Sequence, residues 1–391
     1  MVPYRSGAHR NPMTILAMAA SLAVILLVLV DAFEAIVLPR RPTRRFRFSR
    51  FFYVTLWRVW AAVGKRVGSA KRRDAYLSGF GPMSLLLLLV VWAVGLISAF
   101  GLLQWSLGSS IATPGEPPQL LTDLYFSGTT FFTLGYGDVV PRSAAARVIA
   151  VTEAGMGFGF LAVVIGYLPV IYSAFSRRET AITLLDARAG SPPSAVELLR
   201  RYSKRGALAS LDVFLAEWER WSAELLESHL SYPVLSYYRS QHDNQSWLAS
   251  MTAVLDACAL VISGIVDAPS WQASLTFAIT RHAVVDLAQI FLAKPEPSAA
   301  DRLPEATLLQ AREMLAKAGA PVRWCDNSAA RLQELRDLYE PYVNALGRRF
   351  LLSVPSWMPS ERQVSNWQTS AWGRASRHAA STAEGSIDDV H

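Results

Sequence analysis

Charge is scarce in this 391-residue chain. Asp, Glu, Lys and Arg make up 18% of it and hydrophobic residues 52%, whereas soluble domains carry about 25% charge. That balance excludes a uniformly solvated chain and points to a membrane portion. The shortage is uneven. Residues 1–178 hold 18 basic and 7 acidic side chains, and residues 179–391 hold 20 and 24. The net charge of +7 therefore belongs to the apolar half. Phospholipid headgroups account for such an excess better than nucleic acid, which is not expected as a partner. Cysteine is nearly missing, with Cys258 and Cys325 the two present. Such a pair excludes a disulfide framework and a Cys-based metal site. Both read as small buried hydrophobes in a reducing compartment. No internal repeat is found, and strand-like alternation is scarce.

Long apolar runs, by contrast, are present. Three are long enough to span a bilayer: Met13–Leu38, Pro82–Leu107 and Ala144–Phe175. The first is longer than a signal-peptide core and has no small-residue cleavage site before the arginines beyond it, so it is read as a retained helix. Between Leu38 and Pro82 stand twelve basic residues and one acid, Asp74. Basic loops stay cytoplasmic. The expected topology therefore has the N-terminus outside, 39–81 inside, 108–143 outside, and the chain after Arg177 and Arg178 cytoplasmic. Within 39–81, Phe52, Leu56, Val59, Trp60 and Val63 recur at helical spacing, flanked by Arg50, Arg58 and Lys65. This reads as an amphipathic helix in the headgroup plane, binding anionic lipid; an ordinary helix packed on the cytoplasmic domain is the alternative.

The chain accordingly divides into 1–38 (N-terminal segment and additional helix), 39–81 (basic linker), 82–178 (the second and third apolar runs with the segment between them), 179–371 (cytoplasmic domain) and 372–391 (a polar tail expected to be disordered). No spanning segment is expected after Glu179. Helices are expected over Ala195–Tyr202, Leu208–Leu235, Ser246–Val266, Ser270–Leu292, Pro304–Ala318 and Ala329–Leu346, with breaks at Ser191-Pro192-Pro193 and Lys294–Ser298. The fold class is all-α membrane protein.

The segment carrying chemistry lies between the second and third runs. Residues 119–132 are apolar but too short to cross, at about 20 Å as a helix. A re-entrant helix of this kind is tolerated only where the backbone after it lines a water-filled path. The backbone after it is Thr133-Leu134-Gly135-Tyr136-Gly137-Asp138. A peptide can replace the water around a bare cation only if successive carbonyls point to one side. Alternate residues must then adopt unusual dihedrals, which glycine does at least cost. Gly135 and Gly137 stand at those positions, and Thr133 adds a hydroxyl. One chain holds one such loop, which cannot surround an ion, so four subunits are required.

These residues resemble the potassium channel pore-loop family, in particular bacterial channels with two core helices per subunit. The likeness covers roughly Pro82–Phe175. It implies a tetrameric pore-loop channel with a helical cytoplasmic C-terminal domain, in a bacterial inner membrane. Pro82–Leu107 would be the outer helix, Leu120–Phe132 the pore helix, Thr133–Gly137 the filter and Ala144–Phe175 the inner helix. K+ would bind at Thr133, Leu134, Gly135 and Tyr136, with Leu134 and Tyr136 packing outward against the pore helix. The family's hinge glycine falls at Gly157, and Pro169 removes a donor near the expected gate. Close helix packing is an equal reading of that glycine. In the same register Phe158, Leu161 and Ile165 would line the cavity. The chain departs from the family at Leu134, where Val is commonest. It also departs at Thr129, where some members carry an acid bonded to the Asp after the filter, so Asp138 must find another partner. The helix at Met13–Leu38 lies outside the two-helix core.

Weaker signals remain. Glu153 sits in a spanning helix, turned from the expected cavity face, which suggests a role behind the filter. Asp31 and Glu34 are expected to pair with the neighbouring arginines. His229, His242 and Asp243, and the i, i+4 pair His282 and Asp286, could serve a ligand or metal sensor, though no metal motif appears. No Gly-X-Gly-X-X-Gly follows a strand, so no organic cofactor is expected. No arginine ladder marks a voltage sensor, and no catalytic constellation marks an enzyme. The rival readings are a non-selective cation channel of the same fold and a membrane-anchored signalling protein that does not conduct.

Overall fold

The computed structural model describes residues 12–38, 47–107, 111–112, 119–204, 206–242, 244–265, 268–297, 300–324 and 326–359. It divides into two compact units. One holds residues up to Gly68 together with Gly79–Ser173, and the other holds Ser69–Ser78 and everything from Ala174. The described chain is almost wholly helical, as expected of an all-α membrane protein.

In the first unit α1 (Pro12–Ala32) continues into a π-helical turn, Phe33–Val37. It packs on α4 (Phe80–Ser106), where Ile25 and Val28 meet Leu88, Leu89, Trp92 and Leu96. Asp31 was expected to pair with the neighbouring arginines, four of which (Arg40, Arg41, Arg44 and Arg45) lie outside the described residues; among the described residues its partners are Ser49 and Trp92. Buried at the end of α1, its carboxylate accepts from Ser49 N at 3.1 Å, Ser49 Oγ at 3.0 Å and Trp92 Nε1 at 3.1 Å. A carboxylate in this setting needs donors, and these three arrive from two other helices. Glu34 does reach Arg47, at 3.5 Å.

Ser49 lies in the first turn of α2 (Phe48–Lys65), so Asp31 satisfies a free N–H that helix starts leave over. α2 carries a buried stripe besides the apolar set expected to face the headgroups. Trp57, Ala61 and Gly64 are buried, while Val59 and Val63 are exposed. Trp57 stacks edge-on against Phe80 at 4.8 Å, and Trp60 joins at 5.8 Å. Such pairs contribute about 0.5–1.5 kcal/mol each beyond their burial. The helix therefore packs on the first unit with one stripe and leaves a second apolar stripe, with Phe51, uncovered.

The second unit takes in α3 (Ala70–Ser78) and the later part of α6 (Ala144–Ala189). That helix runs fourteen residues beyond the expected Phe175. The unit continues through α7 (Ala195–Lys204), α8 (Leu211–Ser231), α9 (Trp247–Gly264), α10 (Ser270–Ile290), α11 (Glu305–Lys317), α12 (Asp326–Asp337) and α13 (Glu340–Phe350). Two expected helices are shorter than their periodicity suggested. Leu208–Leu235 gives way at Pro233 to a 3-10 turn, and Ala329–Leu346 breaks before Pro341, whose ring cannot donate within a helix. α9 is capped by Ser246, whose side chain accepts from Ala249 N at 3.0 Å. By length and composition α9 could cross a membrane, although no spanning segment was expected after Glu179. However, 94% of its apolar window is buried, making it the central core helix of this unit. Cys258 lies on it, buried and free. Cys325 and the tail 372–391 lie outside the described residues.

Candidate functional site

Two short elements bracket the site. α5 (Leu120–Phe131) is the expected re-entrant segment, about 18 Å long. β1 (Ile111–Ala112) pairs antiparallel with β2 (Val140–Pro141), tying the chain before α5 to the chain after the loop. α5 presses on α4, where a side chain on Gly101 would meet the Cα of Leu124 at 3.0 Å.

From the end of α5 the backbone alternates in hand. Thr133 has φ 57°, Gly135 57° and Gly137 80°, while Leu134 and Tyr136 between them keep ordinary values. The glycines were expected to do this; Thr133 was not. An L-residue in that region costs about 1–2 kcal/mol. Two bonds back to the helix hold it there, Thr133 N to Thr130 O at 3.0 Å and Leu134 N to Thr129 O at 2.7 Å. Leu134 and Tyr136 were expected to pack against the pore helix. Instead they are 54% and 69% exposed.

Asp138 finds its partner one turn above Thr129: Tyr125 Oη donates to its Oδ2 at 2.9 Å. Thr129 instead donates back to Phe126 O at 2.9 Å. Sequence reasoning missed Tyr125. The i, i+13 spacing from a pore-helix tyrosine to the acid after the loop could have suggested it.

α6 supports the end of α5 from behind. Glu153 is fully buried and hydrogen-bonded to Ser127, whose Oγ also donates to Ile97 O of α4 at 2.7 Å. One turn on, a Cβ at Gly157 would sit 1.9 Å from Phe131 O. Gly157 is therefore a close-packing position, and α6 continues as a helix through it and through Pro169. Phe158, Leu161 and Ile165 share one exposed face of α6.

The candidate sensor residues do not converge. His229 is buried and bonded, not a ligand position. Its Nδ1 donates to Leu225 O at 2.8 Å, so Nε2 is left to accept from Arg178 Nη1 at 3.3 Å. Burial and the adjacent guanidinium push its pKa down to about 3. Arg178 spends its other donors on Leu235 O, Tyr238 O and Glu179, at 2.8–3.0 Å. His282 lies 3.3 Å from Asp286 on α10, with the imidazole 54% exposed. His242 is exposed, and Asp243 lies outside the described residues. Among the described residues no group of three or more His, Cys, Asp or Glu could hold a metal.

Comparison with known proteins bears on the same stretch. Residues 85–173, from α4 into α6, match the model of a family described as "Ion channel". Fold and match together define the class: an all-α membrane protein carrying an ion-channel domain. Over 222 residues the chain is 29% identical to the uncharacterized membrane protein YdjJ of Bacillus subtilis (strain 168). That alignment covers 53% of this chain and 63% of the relative, so the chain spans less than two thirds of that protein's length. No solved structure matches the chain.

Proposed function

We propose that four copies of this chain assemble about a common axis into a potassium-selective channel. The observation carrying this reading is the alternation of left-handed backbone at Thr133, Gly135 and Gly137 at the end of a short re-entrant helix. Alternating hand turns successive carbonyls to one side, where rings from four chains replace the hydration shell of K+. K+ is cargo here, held by the oxygens of Thr133, Leu134, Gly135 and Tyr136. The exposed Leu134 and Tyr136 support assembly, since neighbouring subunits would cover them. The exposed face of Phe158, Leu161 and Ile165 would line a hydrophobic cavity able to close by dewetting. Gly157 and Pro169 lie on the gating helix.

In this reading the N-terminus is outside a bacterial inner membrane and the second unit is cytoplasmic, regulating the gate through an unidentified ligand. Residues 39–81 meet anionic lipid. The exposed stripe of Phe51, Val59 and Val63 on α2 favours that contact. No organic cofactor and no enzymatic step is invoked.

The test is ion flux through purified protein in liposomes with opposing K+ and Na+ gradients. A reversal potential following K+ supports the reading. Equal permeability would make the pore a non-selective cation channel. No current under any condition, with unchanged cellular function after Gly135→Ala, would leave a non-conducting signalling protein.

A further inference from the structure

Behind the loop, three oxygens from three helices crowd one another: Ile97 O of α4, Ser127 Oγ of α5 and a carboxyl oxygen of Glu153 on α6. Two contacts between three oxygens need two protons. Ile97 O has none to give, and the Ser127 hydroxyl supplies one. With the Ser127 proton directed to Ile97 O at 2.7 Å, the contact between Ser127 and Glu153 requires a proton on Glu153. The surroundings agree. Glu153 has no accessible surface, and among the described residues no cation pairs with it and its Oε2 has no partner. An ionised carboxylate there would be a buried, uncompensated charge.

We infer that Glu153 is a neutral hydrogen-bond donor, and that the chain Glu153 → Ser127 → Ile97 O clasps inner, pore and outer helices together as a positioning device for the filter loop. The register supports the role. Glu153 and Gly157 are four apart on α6, and the residues they meet, Ser127 and Phe131, are four apart on α5. The two helices thus touch at matched successive turns, the second of them two residues before Thr133. α4 carries no titratable residue. The others on the packed elements are Asp123 and Tyr125 on α5 and, within ten residues of Glu153 on α6, Arg147; the remaining titratable residues of α6 begin at Tyr167, fourteen residues further on.

The inference rests on the channel reading for its consequence but not for its chemistry, so the test has two arms on the full-length protein. In the first, infrared difference spectra of wild type minus Glu153→Gln at neutral pH are expected to show a protonated-carboxyl band. Its absence overturns the neutral clasp whether or not the protein conducts. In the second, K+ and Na+ fluxes into liposomes are compared. Glu153→Gln, which keeps a neutral donor, is expected within about twofold of wild type in selectivity. Glu153→Ala and Ser127→Ala are expected to lose selectivity at least tenfold while eluting at the wild-type oligomeric size. Glu153→Gln behaving like Glu153→Ala overturns the proposal, as does full selectivity in Glu153→Ala. A wild type without flux refutes the channel reading and leaves the first arm to decide the clasp.

Discussion

Replacing Gly157 by alanine separates two uses of one glycine. The new methyl would lie 1.9 Å from Phe131 O and 2.8 Å from its carbonyl carbon. Ordinary contact begins near 3.4 Å, so α6 and the end of α5 must part by about 1.5 Å in a region held on both sides. Forced overpacking costs about 1–3 kcal/mol and sometimes more. At about 3 kcal/mol the original arrangement falls about 100-fold in population. Phe131 is two residues before Thr133, so the displacement is delivered to the loop. We expect K+ flux below a tenth of wild type from protein that still assembles. Gly155→Ala and Gly159→Ala provide the contrast. Neither glycine has an atom within 4 Å of where a Cβ would stand, and alanine there favours the helix by about 1 kcal/mol. If helix flexing is what Gly157 provides, all three variants should lose flux together. If contact is what matters, only Gly157→Ala should. Wild-type flux in Gly157→Ala would refute close packing as the role of this glycine.

Four further outcomes are expected. Arg178→Met strips donors from His229, Leu235 O, Tyr238 O and Glu179 and should destabilise the second unit by about 3–5 kcal/mol in thermal unfolding. Arg178→Lys should not rescue it, since an ammonium cannot span those acceptors. Because the folded pKa of His229 lies near 3, below its unfolded value near 6.5, its neutral form stabilises the fold fully above pH 6.5. That contribution is lost as pH falls toward 3, about 3 kcal/mol by pH 4.5; a denaturation midpoint unchanged between pH 7 and 4.5 would contradict the assignment. Asp31→Ala leaves Ser49 and Trp92 donors unpaired and should lower the melting temperature markedly, at about 1–3 kcal/mol per orphaned group, with Asp31→Asn in between. Tyr125→Phe should lower the K+ over Na+ permeability ratio about fivefold, the worth of one net hydrogen bond near 1 kcal/mol. Thr129→Val should leave that ratio unchanged, because Thr129 bonds back to its own helix.

The features legible in the sequence were the local ones. Apolar run length placed α1 with its π-helical turn, α4 and α5 within two residues, and the spacing of glycines marked two of the loop's three left-handed positions. The features that stayed hidden depend on residues distant in sequence. The donors to Asp31 come from 18 and 61 positions away, so nearby arginines looked like the natural partners. On α2 the spacing marked one apolar set and missed the buried stripe of Trp57, Ala61 and Gly64, since Trp57 finds its partner Phe80 23 residues away. Pro233 and Pro341 stood in the sequence, but the periodicity around each continued and masked the break. The role of Gly157 needed the position of one carbonyl oxygen, which no pattern encodes. His229 looked like a candidate ligand until the direction of its two ring nitrogens was known.

The carboxylate at the foot of the first helix also bears on how the chain is made. As a membrane helix, α1 would emerge from the ribosome ahead of the groups that later satisfy Asp31, since Ser49 comes 18 residues later and Trp92 61 residues later. A lone acid in hydrocarbon is costly, so the newborn helix has reason to linger at the lipid–water boundary until α4 emerges. Its final seating would then depend on the arrival of a tryptophan as well as on its own hydrophobicity. Truncations ending before residue 92 should insert poorly, and those ending after it should insert well.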